Sequence, residues 1–295
     1  MNPDCDRLPL LISTEDTSAF LAAGFSQSDR GELLARIDAY CDTAPRATAR
    51  AEEHGALVLF VADRGWPFYA RPRLDRATDP TADEIRAVLA RQSELEVPQA
   101  LEWVQETAPS LAGAARAAGM TVHECPLLVL GSLAEPRPGD GEVRLMDADD
   151  SGLGTVNAAI SVAFGTPGTA IAEPGVAERD EAAASPSAAH RLGFTVEGLR
   201  EGRTVQVAAF AGGAGVVGGG SHNPRGEVSE IVGVGVLPAF RRRGLAGAVA
   251  HLLARQALDS GVTTVFCGAE SVDVARVYER VGFRRIGTTC TAEID

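Results

Sequence analysis

Apolar residues along this chain follow two spacings. Unbroken runs bounded by Gly, Pro or polar clusters predict buried strands at Ala56 to Ala62, Ala100 to Val104, Thr121 to Leu130, Thr204 to Ala211, Ser229 to Leu237 and Thr263 to Gly268. Between them, apolar positions recur every three or four residues. Leu33, Leu34, Ile37 and Tyr40 mark one helix, opened by Ser28-Asp29. Ile85, Val88, Leu89 and Leu95 mark a second, which the capping box Thr81-x-x-Glu84 starts. A third runs from Pro109 to Ala118 and stops at Gly119. Leu245, Val249, Leu252, Leu253 and Ala257 predict a helix from Gly244 to Asp259-Ser260-Gly261. Val274, Val277, Tyr278 and Val281 predict a last one, with Ser271 as its cap and Gly282 as its stop.

The second half adds a first strand at Glu142 to Met146 and a helix through Ile160 and Phe164, capped within Asp147 to Asp150. Strands at 204–211, 215–220 (continuing towards His222) and 229–237 are joined by tight glycine turns, which predicts an antiparallel meander. Residues 165–189 are rich in Ala, Glu, Gly and Pro and predict little beyond a helix around Val176 to Ala184. A closing strand is expected from Arg284 to Glu293. The fold class is therefore α/β with a mixed sheet.

Length sharpens this. At 295 residues the chain can hold two domains of about 150 residues. The Pro- and Gly-rich stretch Ser132 to Gly141 is the natural linker, with domains at 1–134 and 142–295 and residues 135–141 between them. The order strand–helix–strand–helix–strand occurs in both halves. Aligning Gly119 with Gly282 puts Trp103 on Phe266 and Met120 on Phe283 without a gap. Ala108 and Ala115 then stand where Ser271 and Tyr278 stand, and the turn Arg76 to Ala82 has no glycine. The first half is thus expected to be a shortened copy without the second half's chemistry.

Net charge is −13 and all 27 basic residues are arginine. Such a balance argues against nucleic acid as the main partner and mildly favours cationic small molecules. No apolar run approaches the roughly 18 residues of a membrane span, and Leu8 to Ile12 is short and lacks a basic flank. The five cysteines, Cys5, Cys41, Cys125, Cys267 and Cys290, show no CxxC spacing, so neither a disulfide framework nor a metal site is indicated. A cytoplasmic protein without membrane association is expected. The Trp66-Pro67-Phe68-Tyr69 cluster fits either a binding surface or interface packing.

The chemistry gathers around Val234 to Ala246. A strand ends at Pro238, three arginines and Gly244 follow, and a helix begins. The first amides of a helix lack internal partners and its dipole favours negative charge, so this is an anion site. The pattern Arg241-x-x-Gly244-x-Ala246, with Arg242, Arg243 and Leu245 filling it, resembles the pyrophosphate-binding signature of the GNAT family of N-acetyltransferases. The string Val277-Tyr278-Glu279-Arg280-Val281-Gly282-Phe283 is similar to that family's closing motif.

The resemblance implies two GNAT-like domains in tandem, the first degenerate. It implies acetyl-CoA as acyl donor, no metal, and direct attack by the primary amine of a small molecule. Tyr278 would protonate the departing thiolate, and Glu230 would take the ammonium proton, with Glu227 and His222 in reserve. The donor's arm would pair with the backbone near Val234 and Val236, and Ser271 stands where the family usually has Asn. His222, within Gly220 to Pro224, is otherwise read as turn chemistry, and His251 as structural. An acetyl-CoA-binding regulator without turnover is the alternative. So is transfer of a longer acyl group or transfer to a hydroxyl.

Overall fold

The computed structural model describes residues 27–62, 69–137 and 139–294. Cys5, Leu8 to Ile12 and Trp66-Pro67-Phe68 lie outside them. In chain order the elements are α1 (Gln27–Thr43), β1 (Ala49–His54), β2 (Leu57–Ala62), β3 (Ala70–Pro72), α2 (Ala82–Glu94), β4 (Ala100–Val104), α3 (Leu111–Ala117) and β5 (Thr121–Leu130). The second half holds β6 (Glu142–Met146), α4 (Leu153–Phe164), α5 (Val176–Ala183), α6 (Pro186–Arg200), β7 (Val205–Ala211), β8 (Gly215–Arg225), β9 (Val228–Val236), α7 (Leu245–Asp259), β10 (Thr264–Gly268), α8 (Val272–Glu279) and β11 (Phe283–Glu293). Among the described residues no helix is long and apolar enough to cross a membrane.

The strands form one mixed sheet in the order β1-β2-β3-β4-β11-β5-β10-β9-β8-β7-β6. Each half contains one parallel pair, β3 with β4 and β9 with β10, as a strand–helix–strand crossover requires. The two last strands are exchanged. β5 of the first half pairs with β10 of the second, while β11 pairs with β4 and β5 of the first. The offset that carries Gly119 onto Gly282 carries Cys125 onto Thr288 and Pro126 onto Thr289. The ladder pairs Cys125 with Thr289 and Pro126 with Thr288, so a pseudo-twofold axis passes between them. Both glycines take positive φ, +93° and +114°, where each ends its helix and turns the chain into the exchanged strand.

Packing follows the exchange. Cys290 and Ala292 of β11 sit in the first half's core with Leu57, Ile85, Leu101 and Trp103. Leu128 of β5 sits in the second half's core. Helix α1 crosses one face of the shared sheet, with Leu34, Ile37 and Tyr40 packed on Val104, Leu127, Val129, Val228 and Phe266.

Several local expectations need correction. β1 was not legible, because Ala49 to His54 carries two glutamates and an arginine on a half-exposed edge. Helix α6 fell in a stretch assigned no element; of its residues only Gly198 is buried, so it lacks the apolar stripe that marks a helix. Asp147 to Asp150 do not cap α4: the helix starts after Gly152, whose amide donates to Asp150 Oδ1 at 2.8 Å. The strand expected at 215–220 forms and runs on to Arg225, so His222, read as turn chemistry, lies in strand β8 with Gly218-Gly219-Gly220. A Cβ on Gly219 would approach Val156 of α4 at 2.5 Å, and one on Gly220 would approach Val249 of α7 at 3.0 Å. Glycine is there because helices close on both faces of β8. His222 is buried between Ser229 Oγ (2.8 Å from Nδ1) and Gln256 Oε1 (2.5 Å from Nε2), a satisfied core histidine.

Candidate active site

The site begins with a failure of pairing. The parallel ladder of β9 with β10 runs Val228, Ser229, Glu230 against Thr264, Val265, Phe266 and stops there. β9 continues to Val236. Its register against β8 slips between Gly219 and Ser221, and Gly233 opposite the slip has φ +64°. A bulge of this kind bends the strand. β9 and β10 therefore fork, with Glu230 at the apex. The fork opens into a cleft of about 840 Å³ lined by Glu230 to Val236, the turn after β9 and one face of α8.

The sheet's two faces supply different groups. His222 and Ser229 turn towards Gln256 of α7. By strand alternation Glu230 turns to the opposite face, where Gly235, beyond the bulge, packs on Ala163 and Ile160 of α4. Tyr278 comes from the α7 side, where it is buried with Leu253, Cys267 and Phe283. Glu230 and Tyr278 thus approach one cleft from opposite faces through the fork.

Electrostatics separates the two further. Burial, and secondarily the carboxylate of Glu102 on β4, push Glu230 up to about 8. Burial first, then Cys267 and Glu230, hold the Tyr278 phenol well above its ordinary range, so it keeps its proton. The Tyr278 ring rests edge-on against Phe283, with centroids 5.7 Å apart. Burial also pushes the Cys267 thiol up, which leaves it neutral and a poor nucleophile.

At the other end, Pro238 to Phe240 make one tight turn and α7 starts after Gly244. Arg242 and Gly244 take φ of +65° and +75°. The first helical hydrogen bond runs from Ala248 N to Gly244 O at 3.0 Å. The amides of Gly244, Leu245, Ala246 and Gly247 therefore have no helical acceptor, and all four residues line the cleft. Arg242 lines it too. Val234 and Val236 border it along the unpaired edge of β9.

Arg241 lines the cleft, while Arg243 and Ser271 do not. The Arg241 guanidinium donates to backbone carbonyls at Ala163 (3.0 Å), Thr166 (2.6 Å), Ala170 (3.2 Å) and Val236 (3.4 Å). Arg243 lies over the Phe240 ring at 5.0 Å, outside the cleft lining. Ser271 Oγ accepts from Val274 N at 3.3 Å as the cap of α8, while its neighbours Glu270, Asp273 and Val274 line the cleft. The reserve residues Glu227 and His222 do not line it, and His251 does, with Nε2 3.0 Å from Ala134 O.

Sequence reading missed the linker's part. Glu135 and Arg137 line the cleft, and Asp140 N donates to Arg243 O at 2.9 Å. Nothing in Pro136-Arg137-Pro138-Gly139 marks such a role. Glu102 was also missed, although a glutamate inside Ala100-Leu101-Glu102-Trp103-Val104 was a visible signal.

Residues 176–283 match the family model described as acetyltransferase (GNAT) family, so this chain carries a GNAT domain. The fold agrees over nearly the whole chain. A GCN5-related N-acetyltransferase from Kribbella flavida superposes with a TM-score of 0.62 at 20% identity, over 88% of this chain and 95% of that one. A GCN5-related N-acetyltransferase from Sphaerobacter thermophilus gives 0.50 at 16% identity, over 89% and 92%. A tandem GNAT protein from the clavulanic acid biosynthesis pathway gives 0.48 at 15% identity, over 81% and 78%. No curated protein matches the chain.

Proposed function

We propose that the chain is an N-acetyltransferase that moves an acetyl group from acetyl-CoA to a primary amine of a small molecule. The observation that carries this is the fork. It is an unpaired strand edge with a carboxyl at its apex, a protonated phenol across it and a row of free helix amides at its mouth. An extended amide-bearing arm ending in a pyrophosphate fits that set: the Gly244 to Gly247 amides suit the phosphates, and the edge at Val234 and Val236 suits the arm's amides. Acetyl-CoA supplies an activated thioester carbonyl.

The chain's residues would then act in order. Glu230, once ionised, accepts the proton of the ammonium acceptor on the α4 face. Once Glu230 has passed that proton to solvent, the neutral amine nitrogen forms a bond to the thioester carbonyl carbon, the carbon–sulfur bond breaks, and the surplus proton on the nitrogen leaves through Glu230. Tyr278 gives its proton to the sulfur on the other face, and solvent restores both groups. No covalent enzyme intermediate is needed, in keeping with the neutral Cys267 thiol. The second half, 142–295, carries this chemistry, and the first, 1–134, is a degenerate copy across the linker 135–141. The free thiols of Cys41, Cys125, Cys267 and Cys290 suit a cytoplasmic setting. Ser271, spent on capping α8, gives the non-catalytic reading its footing: a protein that binds acetyl-CoA as a regulator.

Thiol release from acetyl-CoA over a panel of primary amines tests the proposal. Turnover is expected with at least one amine and falls steeply in Tyr278→Phe while acetyl-CoA still binds. Binding without turnover on any amine would favour the regulator.

A further inference from the structure

Arg241 lines the cleft in the turn where a phosphate ligand is expected, yet the hydrogen bonds of its guanidinium go to backbone carbonyls. It meets the carbonyls of Ala163, Thr166 and Ala170 on one side and that of Val236 on the other. Two backbone bonds run beside it: Ala239 N to Pro174 O at 3.0 Å and Ala172 N to Pro238 O at 3.4 Å. The segment it grips spans the end of α4 and the residues after it, and supplies Phe164, Pro167, Gly168 and Thr169 to the cleft wall. Phe164 and Ile171 there are 58% and 64% exposed, so the segment has little apolar packing of its own to hold it. It lies on the α4 face, which Glu230 also faces, opposite the α7 face.

We infer that Arg241 is a positioning residue, which fixes the acceptor's wall, 163–170, to the donor-binding turn. A guanidinium suits this role because its three nitrogens, spread in a planar fork, reach four carbonyls on two sides, whereas a compact ammonium has three donors on one atom. Occupancy of the turn and position of the wall are coupled through this side chain, with the two backbone bonds at Ala172 and Pro174 anchoring the far end of the segment. The identities of donor and acceptor rest on the proposed function; the strut does not.

The test uses Arg241→Lys and Arg241→Met in the full chain, with hydrogen exchange of the 163–170 amides and separate KM values for acetyl-CoA and the best amine. The strut predicts that both variants behave alike. Exchange in 163–170 quickens about tenfold or more, the amine KM rises about tenfold, and acetyl-CoA KM moves less than about threefold. A phosphate ligand predicts the reverse. Lysine would then stay near wild type, methionine would lose acetyl-CoA affinity about tenfold or more, and the wall's exchange would not change. That pattern overturns the inference. If wild type binds no acetyl-CoA, the proposed function fails, and the exchange arm still decides the strut, for it if both variants quicken and against it if neither does.

Discussion

Replacing Glu230 probes the base directly. Its carboxyl, pushed up to about 8 chiefly by burial, would be ionised in about one molecule in a hundred at pH 6 and about half at pH 8. With an acceptor whose amine is already neutral at pH 6, such as an arylamine or an acyl hydrazide, the acceptor's own titration drops out and Glu230 takes only the proton that the nitrogen sheds once it has bonded to the carbonyl carbon. kcat/KM should then climb roughly fifty-fold from pH 6 to pH 8 and level off above it. A carboxylate with its ordinary value would give an almost flat line over the same range. Glu230→Gln should lower the plateau by about a hundredfold or more and remove the slope. The same group leaves a mark on stability. Because the folded-state value is raised, the stabilisation belonging to the neutral acid is complete below the ordinary carboxylate range. It is lost as pH rises through about 8. Wild type should therefore lose ground to Glu230→Gln in thermal melts as pH climbs through that window. A flat wild-type rate profile, or an unchanged slope in the variant, refutes the reasoning.

Glu102→Gln removes the second cause of the Glu230 shift, so the inflection in the rate profile should move to lower pH; an unmoved inflection would mean the two carboxyls do not sense each other. Gly219→Val would drive a side chain into Val156 of α4 and the Val207 carbonyl, and denaturant titration should show a loss of about 1–3 kcal/mol. Residues 1–134 and 142–295 expressed apart should each be poorly folded by circular dichroism and should recover structure on mixing, since each lacks the strand the other lends. Independent folding of 142–295 would show that the exchange is dispensable.

What the sequence made legible was local. The Thr81 to Glu84 capping box forms as written, with both bonds present. The strands and helix of the second crossover, the start of α7 at Gly244 and the span of β5 follow from apolar period and punctuation; the first crossover does not, because its opening strand β3 is only Ala70–Pro72 and has no apolar run. What stayed hidden depends on partners far away in the chain. Strand exchange leaves no trace in the pattern of β5 or β11, because a strand buried on both faces looks the same whichever half it joins. The strand over the β8 glycines was expected, but only the presence of α4 and α7 on opposite faces explains why glycine stands there. Within the candidate site, Glu230, Tyr278 and the turn residues all line one cleft, and the family resemblance was what singled them out. Ser271 was expected as the cap of α8 and serves as one; the destination of the Arg241 side chain was not legible, since a guanidinium serves a carbonyl as readily as a ligand. The linker's Arg137 and the first half's Glu102 reach the site only through tertiary folding.

The central claim is that the fork and the Gly244 turn hold acetyl-CoA. Calorimetric titration of acetyl-CoA into wild type and Gly244→Val tests it most directly. The variant forces a β-branched side chain into a turn with φ +75° at the anion site. One site per chain in wild type, lost in a variant that still melts cooperatively, is the predicted result. Absence of binding in wild type, or equal binding in the variant, would contradict the account.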